Sequence, residues 1–510
     1  MTKSVYFIGI GGIGMSALAR YYKTLNQANG LIGRRTKGVD LAQNWAVSGS
    51  DIADSKLLKE LRKEGIRVII GHKKGSITQK TELVIYNQAI NEKNIELKEA
   101  CRLGIKTLSY PEAIGELTKQ HKTIAITGSH GKSTTTAIMS LVLINAGFDP
   151  TVIVGTRMKE FENANFRLGS QSNDIARLAG ALAKRASRKN PNDLRCRYLV
   201  LEADEYGRAF LHYSPYAAII TNIDKEHLDT YKNLAGVKKA FLQFISNIQD
   251  NGILVLNSGD KNLKSLEKKI YSVCKKKMIK IFWYDKNQHI KGLASLGLLP
   301  SLLGEHNISN ASGAYALAKA LGIDDRIIFD TLKNFSGTWR RLEFRGYYAP
   351  YLKPYTLPVF DDYAHHPTEI KASLAALRQV SGENGQASVV CVFQPHQTER
   401  LAALFRDFVD AFKDADILIL LPVYQVAGRE KINVIARRKI GSQELAKAIQ
   451  KKYPEKRVVC LKNPKKLPHI LSSLYPKPHT PSPVLVMMGA GDIVKYTDSL
   501  LQEHRGHSQK

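Results

Sequence analysis

The 510-residue sequence predicts an α/β protein built as three domains. Three observations lead there. A chain this long, with 44% hydrophobic residues, exceeds what a single core usually organises. Twice, beginning near Ser4 and near Thr123, a short apolar strand passes through a glycine turn into a helix. Over the rest, short apolar runs alternate with helix-spaced segments, the rhythm of parallel sheets with crossover helices.

The first unit opens with a strand from Ser4 to Ile10, the turn Gly9-Ile10-Gly11-Gly12-Ile13-Gly14, and helical spacing from Met15 to Leu25. That is the start of a Rossmann-like βαβ unit. Strands at Arg67–Ile70 and Leu83–Tyr86 alternate with helices at Ser55–Glu64 and Asn94–Leu103, so this N-terminal Rossmann-like domain is expected over 1–118. Asn29 to Asn44, rich in glycine and basic residues, reads as an insertion. The glycine pattern alone suits several nucleotides; NAD would want an acidic residue about twenty positions on, where only Asp40 is available.

The second unit, 119–336, restarts the pattern. Its strand Thr123–Thr127 leads into Gly128-Ser129-His130-Gly131, and a helix opens at Lys132. This loop is shorter than the common phosphate-loop spacing, because Ile126 stands where the first glycine belongs. The physics survives: glycines let backbone N–H groups wrap a phosphate, the helix points its positive end at the anion, Lys132 neutralises phosphate charge, and Ser133 offers a hydroxyl to Mg²⁺. A second α/β domain built on this P-loop, with a mostly parallel sheet, follows. Strands are expected at Tyr198–Glu202, Ala217–Thr221 and Gly252–Asn257, with helices at Val237–Ile248 and Asn307–Leu321. Between them, 157–197 holds ten Lys/Arg against four Asp/Glu and a helical stripe at Ile175, Leu178 and Leu182, either a helical insertion or a loop.

Two strand ends in this unit carry chemistry. Glu202-Ala203-Asp204-Glu205 follows an apolar strand, where open α/β sheets present ligands, and Glu202 is the expected Mg²⁺ ligand. Thr221 to Asp229 repeats the arrangement, with His227 as a candidate for a second cation. Solvated carboxylates and a surface histidine are the plain alternatives. The third unit, 337–510, shows strands at Ser388–Phe393, Ile417–Leu421, Arg457–Leu461 and Val484–Met488, helices at Arg400–Phe412 and Ser442–Lys452, and a Pro-rich loop from Pro476. A C-terminal Rossmann-like domain accounts for it.

The net charge of +29 is spread along the chain, as at Lys275–Lys277 and Arg437–Lys439, without interleaved stacking aromatics. It reads as a solvated basic surface, and no nucleic-acid partner is expected. Five scattered cysteines form no metal-binding or redox pair, and read as buried or inert thiols. No run of eighteen apolar residues occurs and Met1–Ile10 enters a strand directly, so no transmembrane segment and a cytoplasmic location are expected.

Ten motifs in order resemble the Mur ligases: GIGGIGMS (Gly9–Ser16), SGSD (Ser48–Asp51), TGSHGKSTT (Thr127–Thr135), EADEY (Glu202–Tyr206), TNIDKEHLD (Thr221–Asp229), GEHNISN (Gly304–Asn310), RRLE (Arg340–Glu343), DDYAHHPTE (Asp361–Glu369), FQPH (Phe393–His396) and GAGD (Gly489–Asp492). The resemblance covers nearly the whole chain. It implies an N-terminal domain holding a UDP-sugar, a central ATP-binding ligase domain, and a C-terminal domain that brings in the amino acid and closes. It further implies ATP and Mg²⁺, and an amide bond formed through an acyl phosphate between UDP-N-acetylmuramate and L-alanine in peptidoglycan synthesis. A ligase attaching a recycled peptide to the same sugar, and a non-catalytic nucleotide-binding module with a basic nucleic-acid or membrane surface, are the rival readings.

Carried over by motif, Gly128, Ser129, Gly131, Lys132, Ser133 and Thr134 resemble the family's ATP loop, with Ser133, Glu202 and His227 as metal ligands and His130 near the reacting carboxylate. Asn307, Arg341 and Asp362 would complete the ATP site, although Asn307 also suits a plain helix N-cap. Gly11, Gly12, Ile13, Gly14, Ser16, Asp51 and His72 would hold the UDP-sugar, and His365, His366 and Arg400 the amino acid. Leu242 stands where branches of the family that add later residues carry a carbamylated lysine, so the alanine-adding branch is the one resembled. The chain departs from the family at Gln397, where an arginine is usual, and over 155–197, which replaces a glycine-rich stretch.

Overall fold

Three sheets organise the computed structural model, which describes residues 3–31, 45–169, 198–295, 301–349, 356–380, 388–425, 440–474 and 483–507. The first has five parallel strands in the order β3-β2-β1-β4-β5: β1 (Lys3–Ile8), β2 (Trp45–Asp51), β3 (Arg67–Ile70), β4 (Leu83–Tyr86) and β5 (Lys106–Ser109). Helices α1 (Ile13–Leu31), α2 (Lys56–Lys63), α3 (Ile95–Arg102) and α4 (Tyr110–Gln120) connect them. Capping sets their starts: the Ser55 side chain accepts from Leu58 N at α2, and Asn94 accepts from Glu96 N and Leu97 N at α3.

The second sheet runs β12-β11-β10-β6-β9-β7-β8, from β6 (Lys122–Thr127), β7 (Thr151–Met158), β8 (Ala164–Arg167), β9 (Tyr198–Glu202), β10 (Ala217–Ile220), β11 (Ile253–Asn257) and β12 (Lys280–Tyr284). Only the β7–β8 pair is antiparallel. This corrects the expectation for the start of the basic segment, since residues 157–167 form a strand end, a short turn and a second strand. Glu162 and Asn163, at φ 55° and 63°, make the reversal, and Ile153 and Phe166, paired across the hairpin, are buried in the core. The stripe at Ile175, Leu178 and Leu182 lies outside the described residues, as do Asp40, Cys196, Arg437–Lys439 and most of the Pro-rich loop. Helices α5 (Lys132–Asn145), α6 (Leu234–Ser246), α7 (Glu267–Lys276), α8 (Glu305–Ala320) and α9 (Asp325–Asn334) complete this part of the chain.

The third sheet, β13-β14-β18-β15-β16-β17, comprises β13 (Glu343–Tyr348), β14 (Leu357–Asp362), β15 (Val389–Phe393), β16 (Ile417–Leu420), β17 (Arg457–Cys460) and β18 (Val484–Met488), parallel except for β13. Both faces are covered, as a parallel sheet requires. Along β15, Val389, Cys391 and Phe393 enter one core while Val390 and Val392 enter the other. The helix expected over Arg400–Phe412 breaks into Thr398–Ala403 and Phe405–Val409, because Leu404 leaves the helical region at φ −115° and ψ 22°.

Packing divides the chain into two compact units, 1–298 with 309–336, and 299–308 with 337–510. The first two sheets belong to one unit and share a continuous apolar core that includes Phe7, Ile114, Leu201, Phe210 and Phe244. Cys274 and Cys391 are buried, Cys101 is exposed, and burial pushes the Cys391 thiol far up. Among the described residues no helix is long and apolar enough to cross a membrane.

Candidate active site

The loop between β6 and α5 is shaped by two glycines in left-handed backbone, Gly128 at φ +136° and Gly131 at +80°. A Cβ at Gly128 would strike the Thr221 hydroxyl, and one at Gly131 the Asn310 amide. The adjacent strand end pins the loop. Thr221 Oγ1 donates to His130 O at 2.6 Å, His130 N donates to Asn222 Oδ1 at 2.8 Å, Ser129 N to Asn222 O at 3.1 Å, and Asp224 N to Ser129 Oγ at 2.8 Å. This follows from register, since Ile220 pairs with Thr127 and delivers residues 221–224 to the loop. Lys132 folds back, donating from Nζ to Gly128 O at 2.8 Å and to Glu205 Oε2 at 2.8 Å. Burial pulls its pKa down, but the charges of Glu205 and Asp204, the hydrogen bond to Glu205 and the charge of Glu202 reverse this and leave it above the ordinary lysine value.

Glu202 ends β9 beside Ile126 of β6, at the same carboxyl edge. Its Oε1 accepts from Ser133 Oγ at 3.0 Å and its Oε2 from Gly155 N at 2.6 Å. Burial raises its pKa, opposed by Lys132 and by these two hydrogen bonds. Asp204, Glu205 and His227 gather one ligand atom each within 4.8 Å. Glu205 is fully buried, and its Oε1 makes no hydrogen bond, lying 3.7 Å from His227 Nε2. Burial raises the Glu205 pKa as well, against the pull of Lys132. His227 sits at φ 53° with its ring against Tyr206 at 4.9 Å, and the Tyr231 hydroxyl donates to Glu205 O. His130 Nε2 lies 3.1 Å from Asp224 Oδ2. Carboxylate oxygens, a hydroxyl and an imidazole, one oxygen of them buried without a donor, make a set that suits divalent cations.

At the carboxyl edge of the first sheet, Gly9 N and Ile10 N donate to Ser50 O at 2.8 and 3.0 Å, and Gly11 N donates to Asp51 Oδ2 at 2.7 Å. Any side chain at Gly12 would meet Asn87, 2.7 Å away, and one at Gly14 the Tyr110 hydroxyl, 2.5 Å away. Ser16 is fully buried and donates to Ile13 O at 2.8 Å. Asn165 of β8 reaches this turn, donating from Nδ2 to Ile13 O at 2.6 Å and accepting from Arg20 Nη1 at 3.0 Å. Burial first, then the charges of Glu202 and Asp204, raise the pKa of Tyr110, whose hydroxyl stands against Gly14.

In the second compact unit, Asp362 is buried and accepts from Leu342 N at 3.1 Å, Ala364 N at 2.7 Å and Ser373 Oγ at 2.9 Å. Arg341 Nη1 donates to Glu369 Oε1 at 3.3 Å. His365 Nδ1 lies 3.1 Å from Tyr363 O, and its ring stands edge-on to His396 at 5.8 Å. His366 Nδ1 accepts from Thr368 N at 3.3 Å, which starts helix α10 (Pro367–Val380). Gln397 sits at φ 66° and donates its N–H to Tyr424 O at 2.9 Å, ahead of the short helix that carries Arg400. Asn307 is not an N-cap, because α8 already starts at Glu305; its Nδ2 donates to Leu303 O at 2.9 Å.

Comparison with known proteins supplies the family. Residues 39–122 match the Mur ligase family catalytic domain, 126–318 the Mur ligase middle domain, and 340–491 the Mur ligase glutamate ligase domain. The UDP-N-acetylmuramate–L-alanine ligase of Aquifex aeolicus is 33% identical over 98% of both chains, and that of Caldicellulosiruptor bescii is 36% identical over 84% of both. The chain belongs to the Mur ligase family. Among solved structures, the UDP-N-acetylmuramate-alanine ligase MurC of Thermotoga maritima shares the fold, with a TM-score of 0.68 and 22% identity over 99% of each chain.

In this Mur ligase the fold pairs Lys132 with Glu205 and Ser133 with Glu202, and sets His227 beside Glu205 and Asp204. Sequence reading missed Glu205 as the lysine's partner, Gly155 as the amide that aims Glu202, and Asn222 and Asn310 as the walls of the phosphate loop. The TNID and GEHNISN motifs contain the two asparagines, so a signal was present. Gly155 and Asn165 lie in the stretch where the chain departs from the family pattern, and nothing local marks them.

Proposed function

We propose that the chain joins L-alanine to the lactyl carboxylate of UDP-N-acetylmuramate, with ATP as the phosphoryl donor and ADP and phosphate released, in peptidoglycan synthesis. The single observation that supports it most is the pairing, inside one compact unit, of a phosphate loop backed by Ser133 and Glu202 with a second glycine turn, which Asn165 of the second sheet reaches. One cradle suits a triphosphate and the other the pyrophosphate of a nucleotide sugar. The domain reading that goes with it assigns 1–118 to the UDP-sugar, 119–336 to ATP and 337–510 to the amino acid.

Lys132 exchanges Glu205 and the Gly128 carbonyl for phosphate oxygens when ATP enters. Ser133 and Glu202 hold one Mg²⁺, with Glu202 aimed by the Gly155 amide; His227, with Glu205 and Asp204 beside it, holds the second. Bound there, the cations supply positive charge that screens the phosphates and stabilises charge developing in phosphoryl transfer. His130, a residue of the phosphate loop with its ring beside Asp224, can contact the carboxylate being activated. Gly11, Gly12, Ile13 and Gly14 present the pyrophosphate turn, and Asp51 and His72 stand at the ends of β2 and β3 for the uridine. Within the second unit, Asn307, Arg341 and Asp362 are the residues this reading assigns to ATP, and His365, His366 and Arg400 those it assigns to the amino acid, with Gln397 standing where the family usually has arginine.

Release of ADP and phosphate that requires both UDP-N-acetylmuramate and L-alanine is the expected result, and ATP turnover indifferent to both refutes it. Competition between L-alanine and a tripeptide for the same sugar separates alanine addition from peptide recycling.

A further inference from the structure

The first sheet holds a buried carboxylate that the reaction does not consume. Glu96, in the first turn of α3, is fully buried, yet both its oxygens are saturated. Oε1 accepts from the Tyr6 hydroxyl at 2.9 Å and from Lys73 N at 3.0 Å; Oε2 accepts from Ser50 Oγ at 2.5 Å and faces His72 Nδ1 at 2.9 Å. A carboxylate only accepts, so each partner must present a hydrogen. Burial, with Glu96 adding to it, pushes the Tyr6 phenol up to about 12 and keeps it a donor. The ring of His72 therefore carries its hydrogen on Nδ1, and in the neutral form Nε2 presents a lone pair.

His72 stands at a junction. It follows β3, whose Ile70 pairs with Asp51, while Ser50 takes part in the Glu96 network with its hydroxyl and caps the glycine turn with its carbonyl. We propose that Glu96 is a positioning residue that locks the His72 tautomer, so that Nε2 accepts the ring N–H of a uracil-type base and repels cytosine, whose matching ring nitrogen is itself an acceptor. The proposal rests on reading this edge as the site of the UDP-sugar.

Glu96→Gln tests it. Lys73 N cannot accept a hydrogen bond, so the new amide NH₂ must lie on the Ser50 and His72 side, where it donates to Nδ1 and moves the ring hydrogen to Nε2. The expected result is UDP binding weakened about 10- to 100-fold, the weight of one buried hydrogen bond lost, CDP binding tightened, and a raised KM for the UDP-sugar with kcat retained. ¹⁵N histidine spectra, with the His72 signal assigned through His72→Gln, should show hydrogen on Nδ1 in the parent chain and on Nε2 in the variant. An unchanged UDP-to-CDP preference in folded Glu96→Gln overturns the proposal, as does a parent His72 with its hydrogen on Nε2, a measurement that needs no folded Glu96 variant. A parent chain that binds neither UDP nor CDP overturns instead the nucleotide reading on which the proposal stands.

Discussion

Gly155→Ala isolates the amide that aims Glu202. Gly155 lies in β7 without a left-handed φ, so alanine fits the backbone, and replacing glycine in a strand interior does not by itself weaken the fold. The added Cβ would stand 2.6 Å from Glu202 Oε1 and 2.7 Å from its Cδ and Oε2. Ordinary contact needs about 3.5 Å, so the carboxylate must retreat by roughly 1 Å. Its 3.0 Å hydrogen bond from Ser133 Oγ then stretches beyond bonding range. Displacing a metal ligand's orienting partner weakens affinity about 10- to 100-fold, or about 1.4–2.7 kcal/mol. The assay is ADP release at saturating ATP, UDP-N-acetylmuramate and L-alanine while Mg²⁺ is titrated, with thermal unfolding alongside. The expected outcome is a magnesium midpoint raised by that factor and an unchanged Tm. A parental midpoint at full velocity would refute the role given to Glu202 and its amide partner.

Lys132→Ala should lower turnover at least about a thousandfold, as should Glu202→Ala, the weight of losing phosphate or cation stabilisation; near-parental rates in either place the site elsewhere. Because Lys132→Ala also strands buried Glu205, its Tm should fall, and adding Glu205→Gln should restore Tm without restoring turnover. Asn165→Ala removes the bonds to Ile13 O and Arg20 and should raise KM for the UDP-sugar about tenfold with kcat nearly kept, the effect of one lost buried hydrogen bond; an unchanged KM in initial-rate data rejects the strut. His306 is pushed down to about 4 by burial and then by Arg341, so the unfolded imidazole binds more protons between pH 4 and 6.5, and stability is present above that window and lost on acidification through it. Asp361, raised to about 6 by burial, has the opposite sign, its contribution falling as pH rises from 4 to 6. Urea unfolding of His306→Gln followed through Trp339 should therefore lose more stability from pH 4 to 6 than the parent; identical pH slopes would show that His306 is not buried as a neutral ring.

Strands buried on both faces were the most legible part of the fold, because their apolar runs need no partner to be recognised: β4, β9 and β18 fall at the bounds read from sequence. Elements whose stability comes from neighbours were not. β8 is four residues held by Val152 and Ile153 opposite, and β13 exists by antiparallel pairing with β14 despite a register shift between Phe344 and Gly346. The site divides the same way. Lys132 and Ser133 are legible because a helix start places adjacent residues on one anion, which is a property of local sequence. Glu205, Gly155, Asn165 and Glu96 act across 73, 47, 152 and 24 positions on Lys132, Glu202, Ile13 and His72. Such pairings are made by sheet order, since β9 lies between β6 and β7 and so delivers Glu202 to Ser133 on one side and Gly155 on the other. A motif therefore names the groups that meet the ligand, while the order of strands decides which buried amides and carboxylates aim them, and variants of this second set should change affinity for magnesium or for the sugar nucleotide before they change the chemical step.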